Sequence, residues 1–210
     1  MRIGIAVARL VVAVAVIAAI VATFTSVAAT SPINPFNFFG FFTIQSNLLD
    51  IVVLLIGGLR LLRGSAPTRG WTVVRWAVAD YMVIVGIVYA VLLAPLGAAG
   101  GVPLPWANTV VHVVTPIFAL VDWFLAPDRL ATPLRLTWVL LLYPALWIAV
   151  VLVRGATDGW VPYPFLDPKN GYSFVAGMTA IVALAFVLVG LALRLADRVP
   201  VRPPVRTALP

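Results

Sequence analysis

Long apolar runs broken by short polar punctuation repeat along the whole chain. A membrane-crossing α-helix needs about 20 mostly apolar residues. Six runs reach that length, at roughly 10–29, 39–59, 73–95, 107–126, 134–153 and 173–193. Between them stand breaker-rich segments: "TSPINPFN", "RLLRGSAPTRGW", "LGAAGGVPLPW", "APDRLATPLR" and "RGATDGWVPYPFLDPKNGY". The alternating ten-residue segments of a membrane β-barrel are absent, so the runs predict helices. The expected fold class is all-α: a polytopic six-transmembrane-helix bundle forming one domain over residues 1–197. The Pro- and Arg-rich remainder, 198–210, reads as a disordered cytoplasmic tail.

Composition agrees. Hydrophobic residues make up 63% of the 210, and charged residues only 10%. Mean hydropathy is +1.10. Soluble domains carry about 45–50% apolar and about 25% charged residues. The first apolar run is longer than the ~7–15 residues of a signal-peptide core, so it reads as a retained span.

The net charge of +7 does not point to nucleic acid, because the cations sit between the spans. Lys and Arg number 2 at the N-terminus, 4 around the second loop, 2 in the fourth and 4 after the last span. The first, third and fifth loops hold 0, 0 and 2. That alternation places both termini in the cytoplasm by the positive-inside rule. Arg outnumbers Lys by 13 to 1, as a GC-rich bacterial genome would give, so a bacterial cytoplasmic membrane is the expected location. The chain has no Cys and one His. Disulfides, thiol nucleophiles, bis-His haem and the H-E-x-x-H zinc motif are thereby excluded, and no metal or cofactor is expected.

One stretch breaks the apolar pattern from inside a span: "FFGFFTIQSNLLD", residues 38–50. On a helix, Thr43, Ser46, Asn47 and Asp50 fall at i, i+3, i+4 and i+7 and share one face. Gln45 points elsewhere. A polar face on a membrane helix belongs in the bundle interior. Asp50 falls near the midplane, where a carboxylate costs at least ~2.5–3.5 kcal/mol without a partner or proton. The fourth span, running in the same direction, carries "WANTVVHVVTPIFALVDWF". Its His112 lies five residues into the run, at the depth of Thr43. Asn108 and Thr115 flank it by about one turn, and Pro116 should loosen the helix. A hydroxyl and an imidazole at matched depth are a candidate nucleophile and general base. Each also has an ordinary structural role: Thr bonding its own i−4 carbonyl, His a helix–helix hydrogen bond.

Asp80 and Asp122 lie in the inner halves of their spans, where pairing with Arg75, Arg129 or Arg135 is the expected role. Tyr81, Tyr89 and Tyr143 are candidate hydrogen-bond donors within the bundle. The fifth loop holds Trp160, Tyr163, Pro164, Phe165 and Asp167 above the Thr43–His112 level, as a lid or as an interfacial turn.

The Thr in an aromatic run ("FFGFFTIQSNLL"), the His followed by an acidic residue ("HVVTPIFALVDW") and the loop "GWVPYPFLDP" occur in an order that resembles one known family. It is the family of androgen-induced membrane proteins and the androgen-dependent regulator of tissue-factor-pathway inhibitor, with their bacterial six-span relatives. The resemblance covers about residues 38–172. It implies a membrane hydrolase of fatty acid esters of hydroxy fatty acids, with Thr43 as nucleophile, His112 as base and 163–166 as the loop motif. Roles for Ser46, Asn47 and Asp50 do not transfer from it.

The expected activity is intramembrane lipid ester hydrolysis near the outer leaflet. Asn47, Asn108 or Ser46 would orient the imidazole or donate to the oxyanion, and a membrane lipid would be the substrate and partner. Two other classes stay open on the sequence: a proton-coupled or small-molecule transporter centred on Asp50, and a non-catalytic lipid-binding or scaffold protein.

Overall fold

A computed structural model describes residues 1–198, apart from the side chains of Ala98 and Ala99. The expected tail thus lies, from residue 199 on, outside the described residues. The described chain is helical and carries six helices long and apolar enough to cross a membrane. The first is α1 (Arg2–Thr30). A short α2 (Pro35–Phe38) leads into α3 (Phe42–Leu62), the second span. The third span is α4 (Arg69–Val88), prolonged by a π-helical turn at Tyr89–Leu93 and a 3-10 segment at Ala94–Gly100. The fourth is assembled from α5 (Pro105–Thr109), a second π turn (Val110–Val114) and α6 (Thr115–Leu125). The fifth and sixth are α7 (Val139–Thr157) and α8 (Tyr172–Leu193).

Local chemistry explains the breaks. Asn34 caps α2 by accepting from the Phe36 and Asn37 amides, with Pro35 set in the first turn. Such a side chain satisfies donors that no intrahelical carbonyl can reach. Thr68 caps α4 in the same way, accepting from the Trp71 amide. The expected second span began at 39, but the helix starts at Phe42, because Phe39–Phe41 form the break after α2. The first span begins earlier than expected, at Arg2. Arg9 does not end the apolar run, since its charge is compensated inside the bundle.

That compensation is the strongest polar feature of the fold. Arg9 donates to Asp122 (2.9 Å) and Asp128 (2.7 Å), and Arg75 donates to the same two carboxylates (2.7 and 2.6 Å). Two guanidinium forks and two carboxylates close a four-charge ring with no net charge, joining α1, α4, α6 and the segment after α6. Gly57 on α3 makes room for it, since a Cβ there would stand 2.8 Å from Arg9 Nη1. Burial opposes the charge on Asp128, but the Arg9 hydrogen bond and the Arg75 and Arg9 charges hold its carboxyl below the usual range. Asp122 pairs with Arg75 as expected, and with Arg9 in addition. Asp80 pairs with neither arginine nor any other group: both its oxygens are buried without a hydrogen-bond partner. Arg129 instead bonds the Trp123 and Ala196 carbonyls.

Around this end the helices are tied by indole N–H groups, Trp76 to the Gly190 carbonyl and Trp123 to the Leu193 carbonyl. Gly190 lets α8 approach α7 closely there, since a Cβ would meet the Leu140 side chain. Above it, Phe42, Tyr81, Tyr143, Trp147 and Phe186 pack edge to face and tilted, joining α3, α4, α7 and α8. Each such pair contributes about 0.5–1.5 kcal/mol beyond its burial.

Removing one member of a buried charge network costs about 3–5 kcal/mol, because its partners are left uncompensated. Arg9→Met should therefore lower the thermal midpoint of the detergent-solubilised protein by several degrees. Arg9→Met combined with Asp128→Leu, which leaves the Arg75–Asp122 pair intact, should recover part of the loss. Equal midpoints for Arg9→Met and wild type would show that the ring contributes nothing. Acid should act in the same direction. Asp128 titrates below its unfolded value, so its contribution is complete above about pH 4 and is lost as pH falls through the folded value.

Candidate active site

Thr43 is the second residue of α3. It therefore sits in the first helical turn, where backbone N–H groups have no intrahelical acceptor. Its amide donates instead to the Tyr163 hydroxyl at 3.3 Å, and Thr43 Oγ1 lies 3.5 Å from the same oxygen, long for an O–H···O bond. Tyr163 is held by Phe165, stacked at 5.3 Å, and by the edge of Phe41 at 5.8 Å. Burial pushes the Tyr163 hydroxyl above its ordinary range against the bonds to Thr43, so it stays protonated at neutral pH and can donate. One residue of the fifth loop, Tyr163, thus contacts Thr43. Pro164 lines the same space, Phe165 faces a neighbouring cavity, Trp160 stands over Arg154, and Asp167 caps the Lys169 amide away from the site.

His112 reaches the interior by a different device. Pro116 has no N–H to give the His112 carbonyl and its ring crowds that carbonyl, which loosens the preceding turn. The turn Val110–Val114 is π-helical. The same offset recurs in the third span, where Pro95 follows the π turn Tyr89–Leu93. Single π turns inside α-helices are often found at functional sites. Here each wide turn contributes one ring to a stack, Tyr89 on His112, with centroids 4.2 Å apart and planes 19° apart. Gly86 lets the two helices close, since a Cβ would be 2.9 Å from Pro116 Cβ.

Asn108 secures that stack. Its amide N–H donates to the Tyr89 hydroxyl at 2.6 Å, and its oxygen accepts from the Val102 amide at 3.1 Å. Its side chain thus fixes Tyr89, the ring that is stacked on the imidazole. Asn47 spans two helices, donating to the Thr43 carbonyl at 2.9 Å and the Val111 carbonyl at 3.2 Å. Its N–H group is committed to the backbone, so the donor nearest Thr43 Oγ1 is Tyr163. Ser46 and Asp50 are buried on the same face below. Gln45 points elsewhere, as expected, bonding the Phe39 carbonyl and the Tyr143 hydroxyl.

Thr43 and His112, 69 residues apart in sequence, line one cavity of about 410 Å³. Its walls include Thr23, Phe41, Asn37 and the Gly100–Pro103 loop. A second cavity of about 240 Å³ runs between α4, α7 and α8 and is lined by apolar residues such as Ile84, Ile148, Val182 and Phe186. Thr43, Leu93 and Tyr163 line both. The threonine thus stands where a polar-mouthed space meets an apolar one. His112 is 5% exposed and its Nδ1 is buried without a partner. No group of three or more metal-ligating side chains occurs among the described residues.

Tyr89 and Tyr163 carry more of this site than sequence reasoning assigned them. The matched offsets of Pro95 and Pro116 were the available signal for Tyr89. Tyr163 had none beyond its place in the loop.

Because Asn108 bonds both the Gly100–Pro103 loop and Tyr89, Asn108→Ala should loosen both. Faster amide hydrogen exchange is expected at Val102 and across residues 94–105, with the α7 amides unaffected. Unchanged exchange in that segment would remove Asn108 from its positioning role.

No protein-family model, curated protein or solved structure matches this chain.

Proposed function

We propose that the protein is an intramembrane lipid ester hydrolase in which Thr43 is the nucleophile and His112 the base. The observation that carries this is the shared cavity: the chain's single histidine and the most loop-proximal residue of the α3 polar face line the same space. The adjoining apolar cavity supports an acyl substrate, because Thr43 stands at its mouth.

In the proposed cycle a lipid ester lies with its carbonyl carbon at Thr43 Oγ1. His112 takes the Thr43 proton, directly or through one bridging water within their shared cavity. The threonine oxygen bonds to the carbonyl carbon, and the Tyr163 hydroxyl donates to the oxygen that gains charge. Such a donor is worth about 2.7–4 kcal/mol in a water-poor site. The ester C–O bond then breaks, the alcohol leaves with the proton from His112, and an acyl group remains on Thr43. Water, deprotonated by His112, releases the acid and restores the hydroxyl. The distribution of arginines supports a cytoplasmic location for both termini, which would set the cavity near the outer leaflet of a bacterial cytoplasmic membrane. Fatty acid esters of hydroxy fatty acids, the substrates implied by the family resemblance, are the first class to assay.

Thr43→Ala and His112→Ala, purified in detergent, should each lose lipid ester hydrolysis by ~10²-fold or more, with thermal midpoints near wild type. Tyr163→Phe should lower kcat more than it raises KM, because its donated bond strengthens as charge develops. Unchanged hydrolysis in folded Thr43→Ala would end the assignment.

A further inference from the structure

The polar face of α3 does not stop at the cavity. Below Thr43 come Ser46, Asn47 and Asp50, at 0%, 0% and 3% exposure. Ser46 Oγ, Asn47 Oδ1 and Asp50 Oδ2 are buried and have no hydrogen-bond partner among the described residues. About two turns further on, past the apolar residues 51–56, the same face reaches Gly57, against which Arg9 of the four-charge ring packs. From Thr43 to Gly57 is 14 residues, about 21 Å along the helix at ~1.5 Å per residue. The hydrocarbon layer is about 30 Å thick. At one end of this column lies the cavity of about 410 Å³. At the other, Asp50, Arg75 and Asp122 line a small void of about 10 Å³. A void of ~10–15 Å³ with two or more polar partners accommodates one water.

We propose that this column is a proton path through the bundle, with Asp50 as its obligatory relay. The charged groups that share the void with Asp50 are Arg75 from α4 and Asp122 from α6, and these are ion-paired in turn with Asp128, from the segment after α6, and with Arg9 from α1. A proton arriving from the cavity by way of Ser46 adds to a carboxylate oxygen of Asp50. It leaves through one water to Asp122, whose side chain is 9% exposed at the end of the bundle where the chain begins. Only O–H bonds form and break, and no redox partner is needed. Alkali ions do not fit: the void has room for one water, and the guanidinium groups of Arg9 and Arg75 oppose a cation. Buried carboxyls used in this manner are a recurrent feature of membrane proton relays. Asp80, though equally buried, takes no part, since it adjoins Gly190 of α8 and does not line the void. The proposal is independent of ester hydrolysis, because Asp50 does not line the cavity that holds Thr43 and His112.

The test uses the full chain in liposomes loaded with a pH-sensitive dye, with a potassium gradient and valinomycin to drive protons. The internal pH should change faster than in protein-free vesicles. Asp50→Asn should reduce that protein-dependent rate by about tenfold or more, Asp50→Glu should keep it within about threefold, and Ser46→Ala should slow it. Wild-type vesicles no faster than protein-free ones would overturn the proposal, as would Asp50→Asn conducting at the wild-type rate.

Discussion

A bilayer offers no hydrogen bonds, so the polar face of α3 can exist only if other helices enclose it. Much of the bundle can be read as the response to that constraint. Thr43, Ser46, Asn47 and Asp50 form a buried line on the inner face of α3. α1 lies along α3 and carries Arg9 to the far end of that line, where Gly57 receives it. The fourth span brings the Val111 carbonyl to Asn47 and His112 to the cavity. The fifth loop brings Tyr163 to the first-turn amide that α3 cannot satisfy itself. Each contact answers a donor, acceptor or charge that the sequence of α3 or its neighbour would otherwise leave in hydrocarbon.

The two ends of the bundle meet the constraint differently. At the end where the chain begins, four full charges cancel in a ring with bonds of 2.6 to 2.9 Å. Such a ring is rigid, because any displacement exposes an uncompensated ion. At the loop end the cavity lining holds no carboxylate or guanidinium, and the contact between Thr43 and Tyr163 is long. The backbone there is irregular, with two π turns, a 3-10 segment and a glycine-rich connection. Irregular backbone at membrane depth is tolerated where it lines a cavity.

The six spans were legible because apolar length is a strong signal, and the four-residue polar face was legible because helical spacing is regular. Their boundaries were less so: the helix starting at Phe42 depends on the Asn34 cap and the break at Phe39–Phe41, which apolar Phe residues conceal. Thr43 and His112 were chosen for matched depth, yet what joins them is a shared cavity wall, reached through a first-turn position in one helix and a proline-widened turn in the other. The pairing of Arg9 with Asp122 and Asp128 was hidden because the partners lie 113 and 119 residues apart. No local pattern reports such a contact. Asp80 was expected to pair and does not, because its helix face turns toward α8 rather than toward the charge ring.

The assignment of Thr43 as a nucleophile can be examined at the level of the bond it would form. The purified protein would be treated with a lipid-like fluorophosphonate, digested and mapped by mass spectrometry. A phosphonyl group on Thr43, absent when His112 is replaced by Ala, is the expected result. A label on another residue, or on Thr43 to the same extent without His112, would contradict the nucleophile–base pair.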